Sequence, residues 1–393
     1  MKKIRLLMYS HDWFPVLGGV QTVTRSLAIG LSQWGQNHPD KSFEVIFVTQ
    51  TPGNGMDDSK FPFRVVRQPS LRDLIRYIRS ADVVHLAGPA LPPQSLAWLL
   101  GIPTVIEHHG YQSVCPNGLL LYAPEHSICP GHFMNRRYEK CLKCNAKDLG
   151  WAGMLRSLIM TFPRRWLCTR AARNVAVTDH VAMRIDLPRT RTIYHGIHDP
   201  VIASRRSPSE VGNELRIGYV GRLVEEKGLP LLLEAASQLQ KDGVRFHLNF
   251  VGDGPQRVEL ESSSRQLGLQ NYVTFAGELR GPDFESALGA IQVVVMPSRW
   301  EETAGLAAME QMIRGGAVVV TDIGGLSEVV GSAGLKFPEN DSAALAACLL
   351  QIYENPSLLD SLGAAARTRA AELFNLDKMV KQHVELYEEV MRN

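Results

Sequence analysis

The feature that most constrains this chain is an alternation that occurs twice. Short apolar runs, "KIRLLMYS", "FEVIFVTQ", "DVVHLAG" and "PTVIEHHG", are separated by segments of helical periodicity. The pattern lapses after residue 195 and restarts with "LRIGYVG", "FHLNFVG", "YVTFAG", "QVVVMPS" and "AVVVT". Runs this continuously hydrophobic belong in sheets covered on both faces, and strands joined through helices run parallel. The chain therefore reads as α/β, with two Rossmann-like domains. Its 393 residues are 45% hydrophobic, enough for a separate core in each half. The first domain is expected over 1–195, with an irregular insertion rich in Cys, Pro and Gly at 111–150. A linker without periodicity is expected over 196–214, a second domain over 215–375 and a terminal helix over 376–393. Two open parallel sheets on one linker predict a deep cleft, with ligands beyond the carboxyl ends of the strands.

Charge is divided unevenly. Residues 1–195 hold 24 Lys+Arg against 13 Asp+Glu, and the remainder holds 18 against 27. A basic half predicts an anionic partner. Its densest segment, "RSLIMTFPRRWLCTRAAR" (156–173), interleaves Arg with Leu, Ile, Met, Phe and Trp. That pattern fits a helix lying on an anionic membrane surface, and equally a core-facing helix with a solvated basic face. No basic stripe with spaced aromatics occurs, which argues against nucleic acid. The apolar run in "MKKIRLLMYSHDWF" is too short for a signal peptide. No run of about 18 apolar residues suggests a membrane span. The expectation is a cytoplasmic chain, peripheral on the inner face of the membrane if 156–173 binds lipid.

Three strand-end loops of the second half carry residues suited to a phosphorylated ligand. In "YVGRLVEEKG", Arg222 emerges after Gly221, and Lys227 follows before Gly228. A guanidinium fork and an ammonium on one loop suit a diphosphate. In "FVGDGP", Gly252 and Gly254 are expected to let the backbone approach a ligand closely; the spacing is not that of a dinucleotide fingerprint. In "MPSRWEETAGLAAMEQM", a helix expected to start near Gly305 would offer the N–H groups of Thr303, Ala304 and Gly305 to an anion. A carboxylate would be repelled by that anion, so Glu302 and Glu310 are expected to meet hydroxyls. The bland alternatives are solvated loop cations and helix-capping acids.

Taken together, these loops resemble the nucleotide-sugar domain of the retaining GT-B glycosyltransferases of the group-one, or family-four, type. The resemblance rests on Gly221-Arg222 with Lys227-Gly228, on Val251 to Gly254, on Pro297-Ser298 with Glu302, Gly305, Leu306 and Glu310, and on Gly324-Gly325 with Glu328, in family order over about 215–335. Ala304 stands where the family usually has an aromatic residue. In the first half, "FPVLGGVQ" resembles the family's first glycine loop. "EHHGYQSVCP" resembles a histidine motif, H-D-Y-x-x-x-C-P, of one subset, and aligning on Cys115-Pro116 matches His109 rather than His108.

The resemblance implies a GT-B fold whose C-terminal helix crosses back to the N-terminal domain. It implies transfer of a sugar, with retention, from a nucleotide diphosphate sugar, UDP- or GDP-linked, to a glycan or lipid-linked acceptor in cell-surface polysaccharide or glycoconjugate synthesis. Arg222 and Lys227 would hold the diphosphate, Glu302 the sugar hydroxyls and Glu310 the ribose. Gly18, Gly19 and the loop residues Gly252, Gly254, Thr303, Ala304, Gly305 and Leu306 would line the donor site. His109 would contact the donor sugar, and residues around Phe275–Gly277 would lie near the base. No D-x-D pair stands at a strand end to hold Mg²⁺, so chemistry without a cofactor is expected. A nucleotide-sugar epimerase or a sugar phosphorylase of the same fold, or a non-catalytic nucleotide-sugar-binding protein, are alternatives. The intact set of Arg222, Lys227, Glu302 and Glu310 weighs against the last.

Four of the six cysteines, Cys115, Cys129, Cys141 and Cys144, fall within one irregular stretch. In a reducing compartment such a set favours metal over disulfides, and four thiolates suit a structural zinc. His126 and His132 are substitute ligands. Free thiols are the competing reading, with disulfides and iron–sulfur behind.

Overall fold

The computed structural model describes residues 2–16, 18–144, 146–199 and 214–392. The expected linker falls largely on 200–213, outside the described residues. The chain divides into two compact units, Met1–His198 with Phe374–Asn393, and Asp199–Leu373.

The first unit runs β1 (Lys2–Ser10), α1 (Gly19–Asn37), β2 (Lys41–Thr49), β3 (Arg64–Arg67), α2 (Leu71–Ser80), β4 (Val83–Leu86), α3 (Leu91–Leu99), β5 (Thr104–His108), β6 (Leu121–Tyr122), β7 (Ser127–Ile128), α4 (Tyr138–Lys143), α5 (Ala146–Arg170), β8 (Arg173–Ala176), α6 (Asp179–Ile185) and β9 (Thr190–Thr192). Seven strands form one parallel sheet in the order β3-β2-β1-β4-β5-β8-β9. The second unit runs β10 (Leu215–Val220), α7 (Leu229–Lys241), β11 (Phe246–Val251), α8 (Arg257–Gln266), β12 (Val273–Gly277), α9 (Gly281–Ala290), β13 (Val293–Met296), α10 (Leu306–Ile313), β14 (Ala317–Thr321), α11 (Gly324–Val330), β15 (Leu335–Phe337), α12 (Ser342–Glu354) and α13 (Pro356–Leu373). Its six parallel strands are ordered β12-β11-β10-β13-β14-β15. Both sheets are thus doubly wound, and each reverses direction once, between β1 and β4 and between β10 and β13.

The strands form where the sequence is apolar at consecutive positions. Every residue of β4, β13 and β14 is buried, as central parallel strands require. Helix starts follow local capping: Ser70, Thr178 and Asp341 accept the N–H groups of Asp73, Val181 and Ala344. The stretch expected to be irregular holds an antiparallel hairpin, β6–β7, and the short helix α4. Two-residue strands are too short to leave a periodic signature.

The last helix, α14 (Leu376–Arg392), belongs to the first unit. The Ile197 N–H donates to the Phe374 carbonyl at 2.9 Å, Tyr387 Oη lies 2.9 Å from His85 Nδ1, and Arg173 pairs with Glu389. Helices α1 and α14 meet at Gly30, where a Cβ would lie 2.5 Å from Val380 Cγ2. Gly30→Ala should therefore destabilise the protein by about 1–3 kcal/mol through overpacking. Gly289→Ala, in α9 with nothing within 4 Å of the added carbon, should stabilise it by roughly 0.5–1 kcal/mol through helix propensity. Urea denaturation of both variants checks this; changes of the same sign would contradict the packing account.

Candidate functional site

In the second unit the reversal between β10 and β13 brings two loops together. Gly221-Arg222 follows β10, and Pro297 to Glu302 follows β13. The Arg222 side chain is exposed, while its carbonyl oxygen accepts from the buried Tyr219 hydroxyl at 2.7 Å. Burial and the Glu302 carboxylate push that phenol well above its ordinary range, so it stays a donor. Lys227 closes a 3₁₀ turn, Glu225–Lys227. Its Nζ lies 2.9 Å from Glu302 Oε1, and the Ser298 hydroxyl donates to the same oxygen. The Lys227 and Glu302 side chains are only 19% and 6% exposed, so each compensates the other's desolvation. Lys227 Nζ also sits 5.7 Å from the Trp300 ring centroid.

The loop bearing Glu302 is clamped from β14. The Gly325 N–H donates to the Glu302 carbonyl at 2.7 Å. A Cβ on Gly324 would lie 2.7 Å from Glu301 Cα and 2.9 Å from Glu302 N. The paired glycines after β14 thus bear on the site by letting one backbone press against another.

Two expectations need correcting. Helix α10 starts at Leu306, with Gly305 as its cap at φ 73°. The N–H groups that lack intrahelical acceptors at its start belong to Leu306 and Ala307, not to Thr303 and Ala304, which precede the cap, and Ala304 is buried. Gly252 and Gly254 approach protein rather than open space. A Cβ on Gly252 would strike the Gly221 carbonyl, and one on Gly254 would strike Leu223. The Gly252 N–H donates to the buried Gly277 carbonyl at 2.8 Å. These glycines bind the strand-end loops to one another.

Glu310 lies on α10, half-buried as a residue but with its carboxyl crowded by protein. Burial pushes its pKa up, against the opposing pull of Arg314.

In the first unit, Gly18 caps α1 in extended conformation and Gly19 begins it, both exposed beyond β1. At the end of β5 the two histidines diverge. His108 is buried, its Nε2 3.0 Å from Asn174 Oδ1, and burial lowers its pKa to about 4. His109 points the other way, with Nδ1 3.1 Å from His195 Nε2 and Nε2 3.7 Å from Glu107 Oε2. Burial pushes the Glu107 carboxyl up, but His109, His85 and His383 outweigh it and hold it well below the usual range. Glu107, His85, His195 and His383 were not singled out by sequence; Glu107 stands just before the histidine pair of "EHHGYQSVCP", and the three histidines are scattered along the chain.

Cys115, Cys129, Cys141, Cys144 and His132 line one cavity of about 10 Å³ in the first unit, and all four cysteines are buried free thiols. Burial pushes Cys115 up to about 11 and Cys141 to about 12. The Asn117 carboxamide bridges Cys115 and Cys144, at 2.9 Å and 3.1 Å. The set suits a thiophilic metal in its chemistry, but among the described residues the triads spaced for an ion are His85–Glu107–His383 and Glu107–His109–His195, not the cysteines.

Residues 202–369 match the family model described as glycosyl transferases group 1, so the second unit carries that family's signature. The chain is 28% identical over 250 residues to 2-deoxystreptamine glucosyltransferase of Streptomyces kanamyceticus, covering 59% of this chain and 64% of that one. It is 30% identical over 173 residues to O-antigen chain mannosyltransferase C of Escherichia coli, covering 43% and 45%. The matches thus span between 45% and 64% of the length of these curated relatives. Among solved structures, Anabaena HepE in complex with UDP and glucose superposes with a TM-score of 0.72 at 18% identity, over 98% of this chain and all of that one. The fold is that of the GT-B glycosyltransferases.

Glu310 yields a prediction with a definite sign. A carboxyl whose folded pKa is raised costs no stability below the unfolded carboxyl range, and the cost grows as pH rises through the window between the two values. Glu310→Gln should therefore stabilise the ligand-free protein at pH 7 and give a smaller gain at pH 4. Denaturant titrations at both pH values test it, and a gain independent of pH would contradict the burial of this charge.

Proposed function

We propose that the chain is a retaining glycosyltransferase that moves a sugar from a UDP- or GDP-sugar to a glycan or lipid-linked acceptor in cell-surface polysaccharide synthesis. The observation that carries this is the buried Lys227–Glu302–Ser298 contact beside Arg222 at the reversal point of the second sheet. Breaking a sugar–phosphate bond builds negative charge on the departing diphosphate. Arg222, Lys227 and the N–H groups that open α10 are fixed donors for that charge, and they favour the transition state over the ground state. Glu302, already held as an acceptor, suits sugar hydroxyls, and Glu310 suits the ribose. The resemblance assigns His109 to the donor sugar and supplies the expectation of retention. The relatives' activities and the UDP bound to HepE support a nucleotide-sugar donor.

The purified chain, given UDP-, GDP- and ADP-sugars without acceptor, should release nucleotide slowly from one donor, read by mass spectrometry. Arg222→Ala and Glu302→Gln should each lower that release on the order of 10²–10³-fold, about 3–4 kcal/mol of barrier. Donor-dependent thermal stabilisation without release, even with acceptor, would make the protein a sensor. If no nucleotide sugar binds, the reading fails.

The acceptor side points to a membrane surface. Helix α5 presents Trp151, Leu155, Ile159, Phe162 and Trp166 on one face, 42–62% exposed, while Met154, Leu158, Thr161 and Cys168 face inward. Trp98 packs on Trp166 at 5.0 Å, and Arg156 and Arg170 flank the stripe in the open. An aromatic-ended apolar face edged by arginine, on the basic half of the chain, suits anionic lipid. No helix among the described residues is long and apolar enough to cross a membrane. The chain should sediment with phosphatidylglycerol vesicles more than with phosphatidylcholine, and less at high salt. Trp151→Ser with Ile159→Ser should weaken this about tenfold or more without changing thermal unfolding. A wild-type chain that ignores anionic vesicles contradicts the proposal.

We also retain zinc on the four cysteines as a proposed structural element. It would knit a segment whose satellite core is small, and closing the site would require Asn117 to withdraw.

A further inference from the structure

Glu107 is fully buried near the end of β5, and four imidazoles surround it. The Nε2 atoms of His85, His109 and His383 lie 3.2, 3.7 and 3.8 Å from Oε2, and His195 Nε2 lies 3.9 Å from Oε1. The donor set used for glycosyl transfer does not explain this cluster, because His85 and His383 are wholly inaccessible.

The proton positions can be worked out from the partners. His383 Nδ1 lies 2.9 Å from the Met379 carbonyl oxygen. A carbonyl only accepts, so the proton is on Nδ1. In the neutral ring, Nε2 is then a bare lone pair, and it points at a carboxylate oxygen. Two electron-rich atoms facing each other in a dry core call for something electropositive between them. His85 is compatible with the same arrangement: its Nδ1 meets the Tyr387 hydroxyl at 2.9 Å, which accepts as readily as it donates. His383 Nε2 and Glu107 Oε1 are buried without a hydrogen-bond partner, and the one close contact of His85 Nε2 is Glu107 Oε2, at 3.2 Å.

We propose that His85 Nε2, Glu107 Oε2 and His383 Nε2 form a binding site for a divalent transition metal of the zinc type. The three ligand atoms all lie within 4.8 Å of one another. Tetrahedral zinc with bonds of about 2.0–2.1 Å needs ligand atoms roughly 3.3 Å apart. The two edges to Glu107 Oε2, 3.2 and 3.8 Å, come near this, and the edge between the two imidazoles is no longer than 4.8 Å. The outer contacts are those metal-bound histidines need: Met379 O and Tyr387 Oη hold the far nitrogens and fix ring orientation. Two histidines and one glutamate are a zinc donor set, with Glu107 Oε1 at hand to complete it. The ligands come from β4, β5 and α14, so the ion would pin the terminal helix to the sheet of the first unit. Full burial makes it a structural ion, taken up as the chain folds.

The test uses the full chain without a histidine tag, produced in zinc-supplemented medium and purified without chelator. The Cys141→Ser/Cys144→Ser background removes the competing thiol site. That protein should retain one equivalent of zinc by mass spectrometry, and adding His383→Leu should reduce it below 0.1 equivalent, on the order of a tenfold loss or more. Zinc-edge X-ray absorption of the cysteine variant should show nitrogen and oxygen neighbours without sulfur, a readout that does not depend on the histidine variant folding. A cysteine variant without stoichiometric metal overturns the proposal: the cluster would then hold only a shared proton. Metal unaffected by His383→Leu, or a first shell containing sulfur, overturns it as well. Should the cysteine variant not fold, the wild type is read instead, and a shell of sulfur alone overturns it.

Discussion

In a parallel sheet every strand ends on the same edge, and where the strand order reverses two adjacent loops part and leave room for a ligand. The rest of this structure depends on that constraint. It places Arg222, after β10, beside the loop carrying Glu302, after β13, though 80 residues separate them in sequence. The contact between Lys227 and Glu302 then follows. An isolated carboxylate at that depth would cost several kcal/mol, and an ammonium 2.9 Å away with a serine hydroxyl on the same oxygen offsets much of this. Without ligand, the residues proposed for sugar and diphosphate neutralise each other. A donor offers Lys227 a phosphate and Glu302 a hydroxyl, so both charges stay compensated as the ligand replaces the pair.

The sequence was most legible where chemistry and periodicity coincide. Strands buried at every position, such as β4 and β14, announce themselves, and so did the two Rossmann-like halves. The second unit's site was legible because its residues stand at strand ends in a fixed order. One reading fails because sequence gives the presence of a glycine and not its neighbour. Gly252 looked like a ligand-facing position, yet the Gly221 carbonyl occupies that space. The start of α10 near Gly305 is legible, but with Gly305 at φ 73° as the cap, Thr303 and Ala304 lie before the helix and its first N–H groups are those of Leu306 and Ala307. The hairpin β6–β7 was missed because two residues per strand carry no period.

The histidine cluster was illegible for a different reason. Its members sit at 85, 107, 109, 195 and 383, on elements that meet only once the sheet is assembled and α14 has returned to it. No spacing rule covers such a set. His85 lies within "DVVHLAG", where a single histidine in an apolar strand reads as an ordinary core residue. Only the carbonyl behind His383 and the carboxylate in front of it show that the ring has a direction.

That direction bears on how the first unit is closed. Its last 20 residues are added after the chain has built the whole of the second unit, so α14 must find the sheet from a long sequence distance. Apolar packing alone gives a helix a face but leaves its register weakly determined. At Gly30 the contact with Val380 is already tight enough to resist sliding. The polar groups add a stronger requirement: a shift of one residue would take Tyr387 from His85 and His383 from Glu107, leaving buried polar atoms without partners. The buried cluster thus penalises every register but one. An interior of aliphatic side chains, although cheaper to bury, would lack that discrimination.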